Sequence, residues 1–170
     1  MRKMIVLVMM ATTLCAINSL SAQGVDEKSV TLHNGAIKEI HATLPTLITV
    51  TNSGDDRIDI SFPADVEPYL DIEIIKQDNI LTFDVKDKSR TRRELNAILE
   101  KNPIRVHVSS SVLTSIMNTS DMSITFADGS VGEWFNIVNT GSIFVNGEVL
   151  KAKNKIEYYN TGTFTSKIKS

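Results

Sequence analysis

The sequence predicts an all-β protein built as a parallel β-helix. Three observations carry this: a repeat of 21 residues in the C-terminal third, short runs of alternating apolar and polar residues, and turn residues between the runs. Met117-Asn118-Thr119-Ser120 is followed 21 positions later by Val138-Asn139-Thr140-Gly141, and after the same step again by Tyr159-Asn160-Thr161-Gly162. Without a gap, Ile116, Ile137 and Tyr158 form one column, Met122, Ile143 and Phe164 a second, and Thr114, Phe135 and Ile156 a third. Apolar columns at a fixed period near 20 residues mark a solenoid, each repeat being one coil stacked on the next. A leucine-rich repeat would carry closely spaced Leu, and helical repeats are longer and poorer in Thr, Ser and Val. Stacked coils place Asn118, Asn139 and Asn160 above one another, where their amides can form a hydrogen-bonded ladder. The Ser or Gly two positions later is expected at a corner that tolerates positive φ.

The strands come next. Ile48-Thr49-Val50-Thr51, Arg57-Ile58-Asp59-Ile60-Ser61-Phe62, Leu81-Thr82-Phe83-Asp84-Val85 and Ile104-Arg105-Val106-His107-Val108 alternate with period two, which puts one set of side chains in a core. Asp71-Ile72-Glu73-Ile74-Ile75 is rich in β-branched residues and reads the same way. Asn34-Gly35, Asn52 to Asp56, Gln77-Asp78-Asn79, Asp128-Gly129 and Asn146-Gly147 are turn signals. One segment differs: residues 91–101 hold Leu95, Ile98 and Leu99 at helical spacing and are followed by Pro103, so a short helix, or a loop carrying one helical turn, is expected there. Its basic cluster at Arg90, Arg92 and Arg93 reads as a solvated charged face.

The N-terminus reads as a secretory signal peptide over residues 1–22. Arg2 and Lys3 precede the apolar run Ile5 to Ile17, and Ser19-Leu20-Ser21-Ala22 supplies small residues for cleavage after Ala22. Residues 23–170 are then expected as one domain, exported to the periplasm, cell surface or medium, with no later hydrophobic stretch to span a membrane. Cleavage removes Arg2, Lys3 and no acidic residue, so the formal charge of −2 becomes about −4. It also removes Cys15, the only cysteine, leaving neither disulfides nor thiolate chemistry. An acidic balance argues against nucleic acid as a partner.

Taken together, Gly35-Ala36-Ile37-Lys38-Glu39-Ile40 leading into Ile48-Thr49-Val50-Thr51, then Asn79-Ile80-Leu81-Thr82-Phe83, Ile104 to Val108 and the Asn-Thr-Gly coils resemble the auto-transporter adhesin head GIN domain family of exported bacterial proteins. The resemblance runs from about Ser29 to the C-terminus and is one of pattern more than of signature residues. It implies a single-stranded right-handed β-helix, surface association and no catalytic residues. The coils here are poorer in Gly than is usual in that family.

Chemical constellations are few. His33, His41 and His107 show no close pair at metal-ligand spacing, so no metal site is expected and no cofactor is implied. Asp55-Asp56 with Asp59 reads as a polar turn, and Asp121, Asp128 and Lys151 are scattered singly. Ser109-Ser110-Ser111 lacks a nucleophile elbow. Alternation along the strands turns Phe135 and Tyr158 inward and Trp134 and Tyr159 outward, which makes Trp134 and Tyr159 the candidate ligand contacts. The expectation is a non-catalytic, adhesin-like binding module that presents a rigid face to a surface polysaccharide or a protein. Two alternatives stand beside it: an assembly protein that oligomerises through exposed solenoid ends, and a carbohydrate-active enzyme.

Overall fold

A computed structural model describes residues 26–33, 37–51, 57–86, 91–109, 113–127, 134–148 and 155–169. The expected signal peptide over 1–22, the turn signals Asn34-Gly35, Asn52 to Asp56 and Asp128-Gly129, and Arg90, Ser110, Ser111 and Lys151 lie outside the described residues. The strands are β1 (Glu27–His33), β2 (Glu39–Ala42), β3 (Thr46–Thr51), β4 (Arg57–Pro63), β5 (Leu70–Ile75), β6 (Ile80–Val85) and β7 (Ile104–Ser109). They continue as β8 (Ser115–Asn118), β9 (Asp121–Phe126), β10 (Trp134–Asn139), β11 (Ser142–Glu148), β12 (Lys155–Asn160) and β13 (Thr163–Lys169). A 3-10 turn at Ala64–Val66 joins β4 to β5, and helix α1 (Thr91–Leu99) joins β6 to β7.

These strands make two mixed sheets, and the chain is not a single-stranded β-helix. The larger sheet has the order β1-β4-β7-β3-β9-β11-β13, the smaller β12-β10-β8-β2-β6-β5. β1 with β4, β4 with β7, and β5 with β6 are antiparallel. Nor does spatial order follow chain order, since β2 lies between β6 and β8. The physical reason is local. Ile75 pairs with Ile80, Asp78 N–H donates to Ile75 O at 3.2 Å, and Asn79 takes φ 56° in a tight reversal no coil corner would make. The regular step of 21 residues holds only in the C-terminal part, where β8, β10 and β12 pair in parallel, as do β9, β11 and β13. Repetition there says nothing about how the unrepeated half pairs.

Alternation fills one core between the sheets. Ile58, Ile60 and Phe62 of β4 and Leu81, Phe83 and Val85 of β6 are all buried. The Phe126 and Phe135 rings, one from each sheet, meet edge to face with centroids 5.2 Å apart. α1 buries Leu95 and Leu99, and Arg92 Nη2 donates to Asp84 Oδ1 at 2.7 Å and Thr43 Oγ1 at 3.2 Å, tying the helix to the smaller sheet. Tyr158 continues the column of Ile116 and Ile137 but is 39% exposed, because among the described residues β12 is the edge strand of its sheet. Burial pushes its phenol above the ordinary tyrosine pKa, and its ring lies 4.6 Å from that of Phe164.

Asn146-Gly147 is not a turn. Both residues lie inside β11, where Gly147 has φ 143° and a Cβ would fall 2.6 Å from Phe126 O. Gly141 and Gly162 do sit at corners, but not because of positive φ. A Cβ on Gly141 would fall 2.1 Å from Ser120 O, so stacking of one corner on the last demands the glycine.

Candidate functional site

The outer face of the larger sheet is a polar field with an apolar break. Register sets Thr31, Asp59, His107, Thr49, Thr125, Asn146 and Lys167 side by side across it. Asp59 accepts from Thr31 Oγ1 at 2.6 Å and Arg57 Nε at 3.0 Å. Partial burial works to raise its carboxyl pKa, but the Thr31 and Arg57 hydrogen bonds and the Arg57 and His107 charges outweigh it, so the pKa lies below the ordinary aspartate value.

The neighbouring row reads Arg105, Leu47, Ser123, Phe144, Thr165. Leu47 is 39% exposed, and Phe144 is half-buried with Lys167 Nζ 5.7 Å from its ring centre. Between them stands Ser123, too short to fill the space. Leu47 and Phe144 lie two strands apart, about 10 Å at roughly 4.8 Å per strand. The result is a groove of about 370 Å³. Leu47, Ser123 and Phe144 form its floor, Ser142, Thr163 and Thr165 one margin, and the turn after α1, with Glu100 and Pro103, a wall. Ile104 N–H donates to Pro45 O at 3.1 Å and holds that turn against the start of β3. The groove therefore offers apolar surface beside hydroxyls, with the carboxylates of Glu100 and Asp121 on its lining.

Alternation alone gave no reason to select these residues, yet it held the signal. In Thr46-Leu47-Ile48 two apolar residues follow each other and in Ile143-Phe144-Val145 three do, so at least one in each run must face outward.

The nominated aromatics lie on the smaller sheet, away from this groove. Tyr159 is 59% exposed and pairs with Val138, four residues along β10 from Trp134, or about 13 Å at roughly 3.3 Å per residue. The structure does not bring the two side by side, and the Trp134 side chain lies outside the described residues. Asn118, Asn139 and Asn160 stand in register: Asn118 Nδ2 donates to Asn139 Oδ1 at 2.7 Å and Asn139 Nδ2 to Asn160 Oδ1 at 2.6 Å. His41 and His107 are on opposite sheets. Among the described residues no three His, Cys, Asp or Glu group as metal ligands, and no helix is long and apolar enough to cross a membrane.

No family model matches the chain, and no curated protein does. Solved structures do. A "putative lipid binding protein" from Parabacteroides distasonis superposes with TM-score 0.55 at 12% identity, over 86% of this chain and 60% of that one. A "putative adhesin" from the same organism gives TM-score 0.44 at 16% identity, over 85% and 66%. A "putative cell adhesion protein" from Clostridium sporogenes gives 0.43 at 9%, over 85% and 100%. The first of these likenesses is one of fold. The chain spans less than two thirds of the length of the two Parabacteroides proteins.

Proposed function

We propose that this protein is a non-enzymatic, exported binding module of the adhesin kind, which holds a glycan in the groove between Leu47 and Phe144. The observation that supports it is the pairing of an exposed aliphatic and an aromatic side chain across Ser123, bordered by serine and threonine hydroxyls. A sugar ring needs both: its C–H face packs on apolar surface, and its hydroxyls exchange hydrogen bonds with polar groups at the margin. The two sheets share one core, so the floor is rigid and little ordering opposes binding.

Tyr159 and Trp134, on the other sheet, are the alternative ligand contacts. A panel of bacterial and host polysaccharides, assayed for retention of the protein and for released reducing ends, tests the reading. Retention without release, lost in Phe144→Ala and kept in Tyr159→Ala, is the expected result. The reverse pattern moves the ligand to the smaller sheet, and release of reducing ends makes Glu100 and Asp121 catalytic and the protein an enzyme.

A further inference from the structure

The 21-residue repeat that orders the C-terminal strands also orders the groove. Asp121 and Ser123 of β9, Ser142 and Phe144 of β11, and Thr163 and Thr165 of β13 follow at equal steps of 21, and all of them line it. Parallel pairing sets them in two straight rows: Asp121, Ser142 and Thr163 in one, Ser123, Phe144 and Thr165 in the other. Leu47 of β3 begins the second row. Each strand thus presents two outward side chains, and the next strand presents the corresponding pair one spacing further on. The lining crosses β3, β9, β11 and β13, or about 14 Å at roughly 4.8 Å per strand.

The spacing is held by the corners. Ser142 N–H donates to Ser120 O and Thr163 N–H to Gly141 O, each at 2.9 Å, so successive rungs start at the same level. Ser142, Thr163 and Thr165 are exposed, and their hydroxyls supply donors and acceptors along a path that runs across the strands. Backbone groups of β3, β9 and β11 are spent on neighbours at both sides, so this face offers an extended peptide no main-chain pairing. Charges of both signs border the path. Glu100 and Asp121 line it, exposed Lys101 follows Glu100, and Lys167 stands over the Phe144 ring. Arg105, beside Leu47 in its row, is paired with Glu27. With charge mixed, what recurs along the path is apolar surface and hydroxyls, the two features that a neutral sugar ring uses.

We infer that the groove takes a linear, neutral glycan laid across β3, β9, β11 and β13, rather than a single terminal sugar. The inference rests on the glycan reading of this groove and adds the shape of the ligand. A pyranose ring is about as long as one strand spacing, so the lining accommodates about three consecutive rings. The first spans Leu47 and Ser123, the second packs on Phe144, and the third reaches Thr163 and Thr165. Because the rungs are fixed by the shared core, each further ring adds contacts without ordering more of the protein.

Titration of the protein with cello-, manno-, xylo- and chito-oligosaccharides, from the single sugar to the pentasaccharide, tests this. At least one series should bind, with affinity rising about tenfold or more from monosaccharide to trisaccharide and less than about twofold beyond it. The double variant Thr163→Ala with Thr165→Ala should lose the gain from the second ring to the third and keep the disaccharide affinity within about twofold. Both side chains are exposed, and far-UV circular dichroism checks that the variant is folded. A monosaccharide bound as tightly as the trisaccharide overturns the inference, as does a trisaccharide affinity unchanged in the double variant. Failure of every series while a polysaccharide of the panel still retains the protein overturns it too. Each of these results leaves Phe144→Ala to decide the groove reading by itself, whereas no retention by any polysaccharide removes both.

Discussion

The Asn118 side-chain amide donates to the Asn139 amide oxygen at 2.7 Å, and both residues are buried, at 0% and 1% exposure. The same Asn118 nitrogen reaches Ser120 O at 2.7 Å and Ser142 O at 3.1 Å, so each amide clips its own corner and the corner above. Asn139 repeats the pattern onto Gly141 O and Thr163 O. Buried amides are tolerated because their partners are present, and they fix the register of the rungs.

Removing the middle member should cost most. Asn139→Ala deprives Asn118 Nδ2 of an acceptor and Asn160 Oδ1 of a donor, and leaves Gly141 O with one bond fewer. Denaturant unfolding should show a loss of about 2–3 kcal/mol, the penalty for buried polar groups without partners. Asn160→Ala, at the exposed edge, should cost less than about 1 kcal/mol. Equal effects at the two positions would remove the cooperative ladder from the account.

Gly141→Ala should also destabilise, since the added methyl would fall 2.1 Å from Ser120 O. Backbone must move to admit it, and a lowered thermal midpoint corresponding to about 2 kcal/mol or more is expected. Ser120, which occupies the same place in the first rung, should tolerate replacement by Ala with an effect under about 1 kcal/mol.

Acid should weaken the protein partly through Asp59. Its pKa is lowered in the folded state, so its contribution is full above the unfolded value of about 3.9 and is lost as pH falls through the lower folded value. Stability profiles of wild type and Asp59→Asn should therefore converge below about pH 4 and separate above it. A constant gap from pH 7 down to pH 2 would mean that the Thr31 and Arg57 bonds stabilise neutral and ionised forms alike.

The β character was legible because alternation is local. Ile58, Ile60 and Phe62 are apolar at every second position, and β4 buries all three. Leu95, Ile98 and Leu99 likewise carry the helical period of α1 in their spacing. Sheet order was not legible. The 21-residue columns describe β8 to β13, but the hairpin at Asn79 and the antiparallel additions of β1, β4 and β5 depend on turn geometry and edge pairing that no repeat encodes. The groove was hidden for a related reason. Leu47, Ser123 and Phe144 come from distant parts of the chain and become neighbours only through parallel pairing of β3, β9 and β11. Tyr159 drew attention because aromatic residues stand out in a sequence, whereas an outward leucine does not.

Binding of the polysaccharide panel to wild type, Leu47→Ala, Phe144→Ala and Tyr159→Ala, at matched thermal stability, tests the central claim most directly. The account predicts that at least one glycan retains the wild type, that Leu47→Ala and Phe144→Ala each weaken retention about tenfold or more, and that Tyr159→Ala does not. Retention unchanged in both groove variants, or no retention by any glycan, would contradict it.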